Sequence, residues 1–323
     1  MSRAVLVRAF GGPEVLTIED RALDAPGPGQ LRIRHTAIGL NFIDVYHRTG
    51  LYPNPLPLVP GSEGAGEVLA VGEGVTDFKA GDRVAYQGVL GAYADERLLP
   101  AERAVPVPDG ISDETAAAVM LKGLTAHYLL RWTHDVRPGQ TLLVHAAAGG
   151  TGQLLAQWGK ALGARVIGTA GGPEKAAQAA LNGCDAVIDY RAEDFVARVK
   201  DLTGGRGVDV VYDGVGKDTF ERSLDCLRPR GLMVSFGNAT GPVSIPDLGI
   251  LARKGSLYVC RPTTGSYYTD RATILAGAQA LFDVLLSGAV TPVIGQRFAL
   301  ADVAEAHRAL EGRATTGSTL LLP

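Results

Sequence analysis

Short runs of alternating apolar and polar residues, separated by glycine- and proline-rich turns, fill the first 121 positions of the chain. The runs that read as strands are "AVLVRAF", "QLRIRHTAIGL", "GAGEVLAVG" and "DRVAYQ". An apolar residue at every second position is typical of a strand with one buried face, and closely spaced turns favour a small barrel or sandwich. The proline-rich segment 51–61 predicts a shaped surface loop instead of regular structure.

A different pattern begins near residue 122 and continues to residue 262, where apolar runs alternate with helical stretches. The predicted strands are "TLLVHAA", "RVIGTA", "DAVIDY", "DVVYDGV" and "LMVSFGN", and the predicted helices are "GQLLAQWGKALG", "PEKAAQAALNG", "EDFVARVKDLTG" and "KDTFERSLDCLRP". Strands that alternate with helices at this spacing indicate a parallel sheet covered on both faces. The remaining C-terminal residues read as helix, strand, helix and strand.

The segment "HAAAGGTG", residues 145–152, lies between the first strand and the first helix of this predicted sheet. It fits the dinucleotide fingerprint GxGxxG, with Ala147, Gly149 and Gly152 at the three glycine positions. Gly149 would let the backbone approach a pyrophosphate, Gly152 would let the helix pack against the strand, and the helix N-terminus would bind the anion. A tight turn without a ligand is the alternative. Its position at the first of five alternating strands favours nucleotide binding.

The end of the second strand, "VIGTAGG", predicts NADP instead of NAD. A site for NAD usually carries Asp or Glu about 20 residues after the glycines. Here residues 169–172 are Thr, Ala, Gly and Gly, and Lys175 follows them. A small uncharged strand end beside a cation suits a 2′-phosphate, which a carboxylate would repel. The alternative is that Lys175 is a solvated residue in the first turn of a helix.

Length and charge exclude several classes of protein. A chain of 323 residues favours two domains. The formal net charge of −3 offers no basic stripe for nucleic acid. The sequence contains no run of about 18 apolar residues that would predict a membrane span. The N-terminus lacks the apolar centre and cleavage site of a signal peptide. We therefore expect a cytoplasmic protein that binds neither a membrane nor nucleic acid.

The metal-binding residue types are too scattered to predict a metal site. Cys184, Cys226 and Cys260 are the only cysteines, and they form no CxxC pair. Zinc-dependent alcohol dehydrogenases carry a cysteine in the segment corresponding to "GLNFIDVYHRTG" and a His-Glu pair after a glycine, whereas this chain has Asn41 and "GSE" at residues 61–63. Two histidines without a patterned partner, His35 and His47, are more often ordinary residues than ligands. We predict chemistry without a metal.

Several motifs together resemble one known family over essentially the whole chain. They are "GGPEVL", "NFIDVYHRTGLYP", "KAGDRVAY", "LKGLTAHYLL", "HAAAGGTGQLLAQWGKALGA", "VVYDGVG", "ERSLDCLRPRGLMVSFGN" and "RATTGS". They are similar to the quinone oxidoreductase (zeta-crystallin-like) group of the medium-chain dehydrogenases/reductases. The span 139–160 also fits the spaced pattern of that group, in which two small residues precede Gly-Gly-x-Gly. The resemblance implies zinc-independent reduction of quinones and related electron-poor carbonyl compounds by NADPH, usually in a homodimer.

The resemblance also implies an α/β architecture and a set of cofactor contacts. A GroES-like β-barrel catalytic domain would comprise residues 1–121 and 263–323, and a Rossmann domain with a doubly wound parallel sheet would comprise residues 122–262. The pyrophosphate contacts would be Gly149, Gly150, Thr151 and Gly152, and the adenosine 2′-phosphate end would contact Gly171, Gly172, Lys175 and Tyr190. The other implied contacts are Phe42, Tyr128, Val215, Phe236, Gly237, Asn238, Arg261 and Arg313. One departure is Gly214, where many relatives have Ser or Thr.

The segment "NFIDVYHRTGLY" predicts the substrate pocket. A quinone needs apolar walls and a few donors directed at its oxygens, and the predicted catalytic residues are Asn41, Asp44, Tyr46 and Tyr52. The cofactor carries the hydride while the protein aligns the reactants. The amide N–H of Asn41 or a tyrosine hydroxyl would stabilise the charge that develops on a quinone oxygen. The alternative for the two tyrosines is packing in a half-buried layer.

Two other functions remain open at this stage. The same frame could reduce the C=C bond of an α,β-unsaturated ketone or aldehyde with NADPH, and the sequence does not separate this reaction from quinone reduction. The chain could also be an RNA-binding or structural protein of the crystallin type, as some relatives are. The acidic balance of the chain disfavours RNA.

Overall fold

The computed structural model describes residues 2–323 and divides the chain into two compact units. The first unit comprises Met1–Leu124, Tyr268–Leu286 and Pro292–Pro323, and the second comprises Thr125–Tyr267 and Ser287–Thr291. The domain boundaries predicted after residues 121 and 262 lie a few residues before the corresponding ends of these segments. Within residues 2–323, no helix is both long enough and apolar enough to cross a membrane.

The regular elements alternate as the sequence patterns indicate. The strands are β1 (Ser2–Val7), β2 (Leu16–Arg21), β3 (Gln30–Leu40), β4 (Glu63–Val71), β5 (Arg83–Gln87), β6 (Glu96–Pro100), β7 (Val105–Pro106), β8 (Thr141–Val144), β9 (Arg165–Ala170), β10 (Ala186–Asp189), β11 (Val208–Asp213), β12 (Leu227–Ser235), β13 (Tyr258–Cys260), β14 (Ile294–Ala299) and β15 (Ser318–Leu322). The helices are α1 (Phe42–Thr49), α2 (Asp113–Tyr128), α3 (Gly150–Ala161), α4 (Pro173–Leu181), α5 (Phe195–Leu202), α6 (Phe220–Leu224), α7 (Gly249–Arg253), α8 (Thr264–Tyr267), α9 (Arg271–Leu286) and α10 (Val303–Glu311). Short 3-10 turns lie at Pro13–Val15, Ala101–Arg103 and Leu300–Asp302, and a π-helical turn lies at Leu129–Thr133.

The first unit is built mainly on antiparallel strands, and only β14 and β15 pair in parallel among the strands of residues 2–323 in this unit. β1 and β2 pair as a hairpin, and a seven-stranded sheet follows the order β14-β15-β3-β4-β5-β7, with β6 paired to β3. β3 coincides with the predicted run "QLRIRHTAIGL". Its Leu31 and Ile33 are fully buried in the core of this unit, whereas the alternating Arg34 is exposed. The period-2 pattern therefore sets the buried face of the sheet, and the β-rich prediction for this part of the chain is confirmed.

Helix α2 was not predicted by an amphipathic pattern because it is apolar on most of its surface. Residues 116–120, "AAAVM", are all fully buried. Ser112 precedes the helix, and its Oγ accepts a hydrogen bond of 3.1 Å from Thr115 N. The helix carries Lys122 into the interior of the first unit.

The second unit is a six-stranded parallel sheet with the order β10-β9-β8-β11-β12-β13. Every residue of β8 and β11 is buried, as expected for strands covered on both faces. The order reverses between β8 and β11, and in such doubly wound sheets ligands bind outside the carboxyl ends of the strands at this point. The Rossmann prediction is confirmed. The predicted helix "KDTFERSLDCLRP" is too long, since α6 ends at Leu224 and β12 begins at Leu227.

Candidate active site

Asn41 and Asp44 lie where β3 gives way to α1. The backbone N–H of Asn41 donates to Asp44 Oδ2 at 2.9 Å, and the backbone N–H of Asp44 donates to the Asn41 carbonyl at 3.1 Å. The helix ends at Gly50, whose φ of 81° closes the last turn. The four predicted catalytic residues therefore lie on or beside one short helix. Asn41 precedes α1, Asp44 and Tyr46 are part of it, and Tyr52 follows it.

The carboxamide of Asn41 has both of its hydrogens committed within the first unit. Its Nδ2 donates to Glu63 Oε2 at 2.8 Å and to the Gly39 carbonyl at 3.3 Å. A carboxylate and a carbonyl can only accept, so they fix the orientation of the amide. Both hydrogens are therefore engaged within the first unit, and the role of Asn41 as an N–H donor to the substrate stays a prediction.

Glu63 is fully buried and binds three donors. Besides Asn41, its carboxylate accepts hydrogen bonds from Leu121 N at 2.6 Å and from Lys122 Nζ at 2.7 Å. Lys122 is 6% exposed, so the two opposite charges form a buried pair. The sequence draws attention to Glu63 only because the residue before it is not a histidine, and Lys122 appears there only as part of the motif "LKGLTAHYLL". The separation of 59 positions between these residues leaves no local signal for the contact.

Asp44 lies in the interior of the first unit. It is fully buried, and its Oδ2 also accepts a hydrogen bond from Tyr93 Oη at 2.9 Å, while its Oδ1 accepts one from Ser62 Oγ at 3.4 Å. Burial raises the pKa of Asp44 to about 7, against the opposing effect of the bonds from Asn41 and Tyr93. These contacts fit a positioning role for Asp44, and its predicted contact with the substrate stays a prediction.

Tyr46 and Tyr52 come together as the sequence predicts. Their rings meet edge to face at 5.2 Å, and the ring of Phe42 is tilted against Tyr46 at 6.4 Å. Tyr52 N donates to the Tyr46 carbonyl at 3.1 Å, which folds the loop back onto α1. Tyr46 is buried, whereas Tyr52 and Phe42 are half-buried. The three rings form an aromatic cluster beside Asn41.

The histidines of the first unit are used in hydrogen bonds instead of in a metal cluster. His35 contacts the Ala94 carbonyl and Tyr86 Oη, each at 2.7 Å, and His47 Nδ1 accepts from Asn54 Nδ2 at 2.7 Å. Across residues 2–323, no three His, Cys, Asp or Glu side chains are grouped so that they could hold a metal ion. The prediction of metal-free chemistry stays a prediction.

In the second unit, the glycine turn joins β8 to α3 as the fingerprint requires. Gly149 precedes the first residue of the helix, Gly150, and Ala146 takes a left-handed φ of 52° in the turn. A Cβ on Gly152 would lie 2.2 Å from the Ala146 carbonyl oxygen, so only glycine allows the helix to begin this close to the strand. The backbone N–H groups of Gly150, Thr151 and Gly152 are in the first turn, where no intrahelical acceptor is available.

The predicted 2′-phosphate residues gather at the carboxyl ends of β9 and β10. Gly172 has a φ of 96° and precedes α4, whose first turn carries Lys175. A Cβ on Gly171 would lie 2.3 Å from Tyr190 Oη, which places the tyrosine ring directly against this turn. Gly171, Gly172 and Tyr190 therefore meet at one corner of the sheet, as predicted, and Lys175 follows within one turn of helix.

The same corner contains two charged residues that sequence analysis missed. Asp189 Oδ1 accepts hydrogen bonds from Gly172 N at 2.8 Å and from Arg191 N at 3.0 Å, and these bonds lower the pKa of Asp189. A Cβ added to Gly172 would lie 3.5 Å from Arg191 Nη1, so the guanidinium group is next to this turn. The expectation of a corner without a carboxylate holds for the end of β9 but is wrong for the neighbouring strand β10. Arg191 supplies a second cation.

The residues predicted to line the nicotinamide half follow β11 and β12. Val215 N donates to Asp213 Oδ1 at 2.7 Å, and a Cβ on Gly237 would lie 2.3 Å from the Gly214 carbonyl oxygen. A side chain at Gly214, the position that departs from the family, would begin 3.1 Å from the Phe236 ring. The two turns are therefore in direct contact. Phe236, Gly237 and Asn238 are all half-buried.

Three further predicted cofactor residues lie away from the turns described above. Arg261 and Tyr128 contact other residues of the second unit, and Arg313 belongs to the first unit. Arg261 Nη1 donates to the Ser235 carbonyl at 2.8 Å and the Gly237 carbonyl at 3.3 Å, so part of its guanidinium braces the turn after β12. Tyr128 is buried and stacks on Tyr267 with ring centroids 4.6 Å apart, and burial raises its pKa to about 12. Arg313 is exposed after α10, with a left-handed φ of 56°. Their cofactor contacts stay predictions.

Comparison with known proteins gives the same two-part division. Residues 27–109 match the alcohol dehydrogenase GroES-like domain, and residues 150–275 match the zinc-binding dehydrogenase family. The chain is 56% identical to a quinone oxidoreductase of Pseudomonas aeruginosa, with 100% of both chains covered. It is 46% identical to a 2-haloacrylate reductase of a Burkholderia species, with 100% of this chain and 99% of the relative covered. A crystal structure of Escherichia coli quinone oxidoreductase complexed with NADPH matches with a TM-score of 0.97 and 49% identity, over 99% of this chain and 100% of that one.

The fold, the two matching family models and the full-length relatives define the chain as a medium-chain dehydrogenase/reductase. Within that class the chain belongs to the quinone oxidoreductase family. The resemblance inferred from the motifs is confirmed.

Proposed function

We propose that the chain is an NADPH-dependent quinone reductase whose chemistry needs no metal ion. The observation that carries this proposal is the glycine turn of the second unit, where Gly152 brings the start of α3 into contact with the turn after β8. Such a turn at the switch point of a doubly wound sheet offers free N–H groups to a pyrophosphate. The Escherichia coli relative was crystallised with NADPH, which supports the same cofactor here.

The preference for NADPH over NADH rests on the corner formed by Gly171, Gly172, Lys175 and Tyr190. Gly172 leaves room for the 2′-phosphate, because a Cβ there would meet nothing nearer than Arg191 Nη1 at 3.5 Å, and Lys175 and Arg191 supply positive charge to it. Asp189 works against an anion, but its Oδ1 is already bound to two backbone N–H groups.

The residues of the first unit hold and orient the acceptor. Tyr46, Tyr52 and Phe42 provide aromatic surface for a flat quinone ring. Asp44 fixes the start of α1 and so the position of Asn41. When bound, NADPH supplies a hydride, and one further proton from water completes the conversion of a quinone into a hydroquinone.

Binding and turnover with the purified protein test the proposal. NADPH should quench protein fluorescence at a lower concentration than NADH, and 1,4-naphthoquinone should then be reduced in the presence of a chelator. Tyr46→Phe and Tyr52→Phe probe the hydroxyl groups while retaining the rings. The proposal fails if NADPH does not bind, if chelation abolishes turnover and zinc restores it, or if no quinone is reduced.

Reduction of a C=C bond is the second candidate, favoured by the 2-haloacrylate reductase relative. The same hydride donor would serve an α,β-unsaturated ketone or aldehyde, and the aromatic cluster would hold it equally well. The ratio of kcat/KM for 1,4-naphthoquinone to that for an enone, with product analysis, separates the two candidates.

The assembly and location of the enzyme are further parts of the proposal. β13 is a three-residue strand at the edge of the parallel sheet, and its Tyr258 is 61% exposed. An open edge can pair with the same strand of a second copy, so we expect the homodimer that the resemblance implies, in the cytoplasm. Sedimentation equilibrium checks the dimer, and the location needs fractionation of the source cell.

A further inference from the structure

Lys122 carries an ammonium group with fewer partners than its burial requires. Its Nζ donates to Glu63 Oε2 at 2.7 Å, and among residues 2–323 this carboxylate is its sole hydrogen-bond partner. An ammonium has three hydrogens to donate. Buried donors in folded proteins are nearly always paired, so two idle hydrogens on a side chain that is 7% exposed indicate a missing acceptor.

An acceptor without a partner belongs to the residue paired with Glu63 on the neighbouring strand. Gln87 is 4% exposed, and its Oε1 is buried without a partner in the described part of the chain. β4 and β5 pair Glu63 directly with Gln87, so both side chains project from the same face of the sheet. Glu63 is therefore flanked by a cation with idle hydrogens and by an amide oxygen with an idle lone pair. This combination suits an oxygen atom that accepts one hydrogen bond and donates another.

Lys122 is also a close neighbour of the predicted substrate residue Asn41. Both Lys122 Nζ and Asn41 Nδ2 lie within 2.8 Å of one atom, Glu63 Oε2. The hydrogens of Asn41 are used up by Glu63 and Gly39. At this point of the first unit, the ammonium is the group that still has hydrogens to offer.

We propose that Lys122 is a further catalytic residue, whose ammonium donates a hydrogen bond to the carbonyl oxygen of the acceptor. Hydride transfer places negative charge on that oxygen, and a fixed cation in a dry site stabilises the charge strongly. A proton from water then forms the hydroxyl group, which donates to Gln87 Oε1, so Lys122 remains an ammonium throughout. Glu63 holds the ammonium in place. This role rests on the proposed reductase function.

The test compares three substitutions of Lys122 with a control at another paired lysine. Lys122→Met keeps the length of the side chain and removes the charge, Lys122→Arg keeps the charge, and Lys122→Ala leaves space for a small amine. Lys254→Met removes a lysine that pairs with Asp225 in the second unit. For each variant, kcat and KM are measured with NADPH and 1,4-naphthoquinone, together with the dissociation constant for NADPH and the thermal unfolding midpoint.

We expect Lys122→Met to lower kcat by about 10²- to 10³-fold, the loss typical of removing one charge-stabilising donor. The dissociation constant for NADPH should stay within about threefold of the wild-type value, or about 0.65 kcal/mol, because the proposed contact of Lys122 is with the acceptor and not with the cofactor. Lys122→Arg should retain more activity than Lys122→Met. Ethylammonium should restore turnover of Lys122→Ala in proportion to its concentration and should not accelerate Lys254→Met.

Two results would overturn the role of Lys122. One is a kcat of Lys122→Met within about twofold of wild type, which is too small a change for a charge-stabilising donor. The other is a parallel loss of kcat, NADPH binding and thermal stability that ethylammonium does not repair, which would make Lys122 only a structural partner of Glu63. A wild-type protein that reduces neither quinone nor enone refutes the proposed function itself, and the catalytic role of Lys122 fails with it.

Discussion

Tyr93 and His307 share a hydrogen bond whose direction is fixed by the groups on either side of it. His307 Nδ1 lies 2.9 Å from Arg48 Nη1, which can only donate. The hydrogen of the neutral imidazole must therefore be on Nε2, from which it is donated to Tyr93 Oη at 3.1 Å. The tyrosine hydroxyl in turn donates to Asp44 Oδ2 at 2.9 Å. One ordered chain of hydrogen bonds thus connects α10 to α1.

The buried carboxyl group in this chain predicts an unusual pH dependence of stability. The pKa of Asp44 is raised by burial from an ordinary value of 3.8 to about 7. At a pH between 3.8 and about 7, Asp44 is protonated in the folded protein but ionised in the unfolded chain. The contribution of Asp44 to the free energy of unfolding therefore falls as pH rises through this range. His35 and His307 act in the opposite direction, because burial lowers the pKa of each to about 3.

Asp44→Asn isolates the contribution of the carboxyl group. The amide oxygen can still accept from Asn41 N and Tyr93 Oη, while the amide nitrogen can donate to Ser62 Oγ, which now lies 3.4 Å from Oδ1. We expect the variant to gain stability relative to wild type as pH rises from 5 to 7, and the difference to level off above that range. Thermal unfolding midpoints of both proteins between pH 5 and pH 8 measure it. Parallel profiles would show that Asp44 ionises normally.

Arg48 stabilises the outer end of the same chain of hydrogen bonds. Its guanidinium is 1% exposed and binds the Gly11 carbonyl, His307 and both carboxylate oxygens of Glu311. Arg48→Met leaves buried acceptors without a donor and should lower the free energy of unfolding by about 3 kcal/mol. Glu311→Gln should cost less, about 1 kcal/mol, because the amide oxygen can still accept from Arg48 and water can replace the second acceptor at this 33% exposed position. Urea unfolding measures both, and equal losses would contradict the assigned burial.

Gly152→Ala tests the contact between the turn after β8 and α3. The new methyl group would lie 2.2 Å from the Ala146 carbonyl oxygen, so α3 must move away from the turn. We expect a loss of about 1–3 kcal/mol in stability from overpacking and a dissociation constant for NADPH raised by about tenfold or more. Gly265→Ala is the matched control, because no heavy atom lies within 4 Å of its added Cβ. Unchanged NADPH binding in Gly152→Ala would remove the glycine turn from the cofactor site.

The features that sequence analysis predicted are those with a local signal. The alternation in "QLRIRHTAIGL" defines β3, and the spacing of Gly149 and Gly152 defines the strand-to-helix turn, because each pattern is set by the geometry of adjacent residues. Asp44 also lies in a correctly identified segment. Its orientation depends on Tyr93, which is 49 positions away, so the segment alone could not show that its carboxylate faces the interior.

The features that sequence analysis missed are created by strand pairing and distant packing. Asp189 reaches Gly172 because β10 pairs with β9, and no spacing rule within "VIGTAGG" contains that information. Lys122 meets Glu63 because α2, a helix with no clear polar face, packs near the start of β4. A buried lysine in an apolar helix was the available signal, since such a residue needs a buried partner.

Lys175→Ala and Arg191→Ala should separate NADPH from NADH. Each variant loses one cation at the corner formed by Gly171, Gly172, Lys175 and Tyr190. A hydrogen bond to a charged group contributes about 1.5–3 kcal/mol, which corresponds to about tenfold or more in affinity. We expect the dissociation constant for NADPH to rise by this factor in Lys175→Ala and by less in the more exposed Arg191→Ala, with that for NADH nearly unchanged. Added salt should weaken NADPH binding more in wild type than in the variants.

Arg198→Ala, which removes a surface partner of Glu193, is the control. If Lys175→Ala weakens both nucleotides by the same factor, Lys175 does not contact the 2′-phosphate, and the preference for NADPH must come from elsewhere in the second unit.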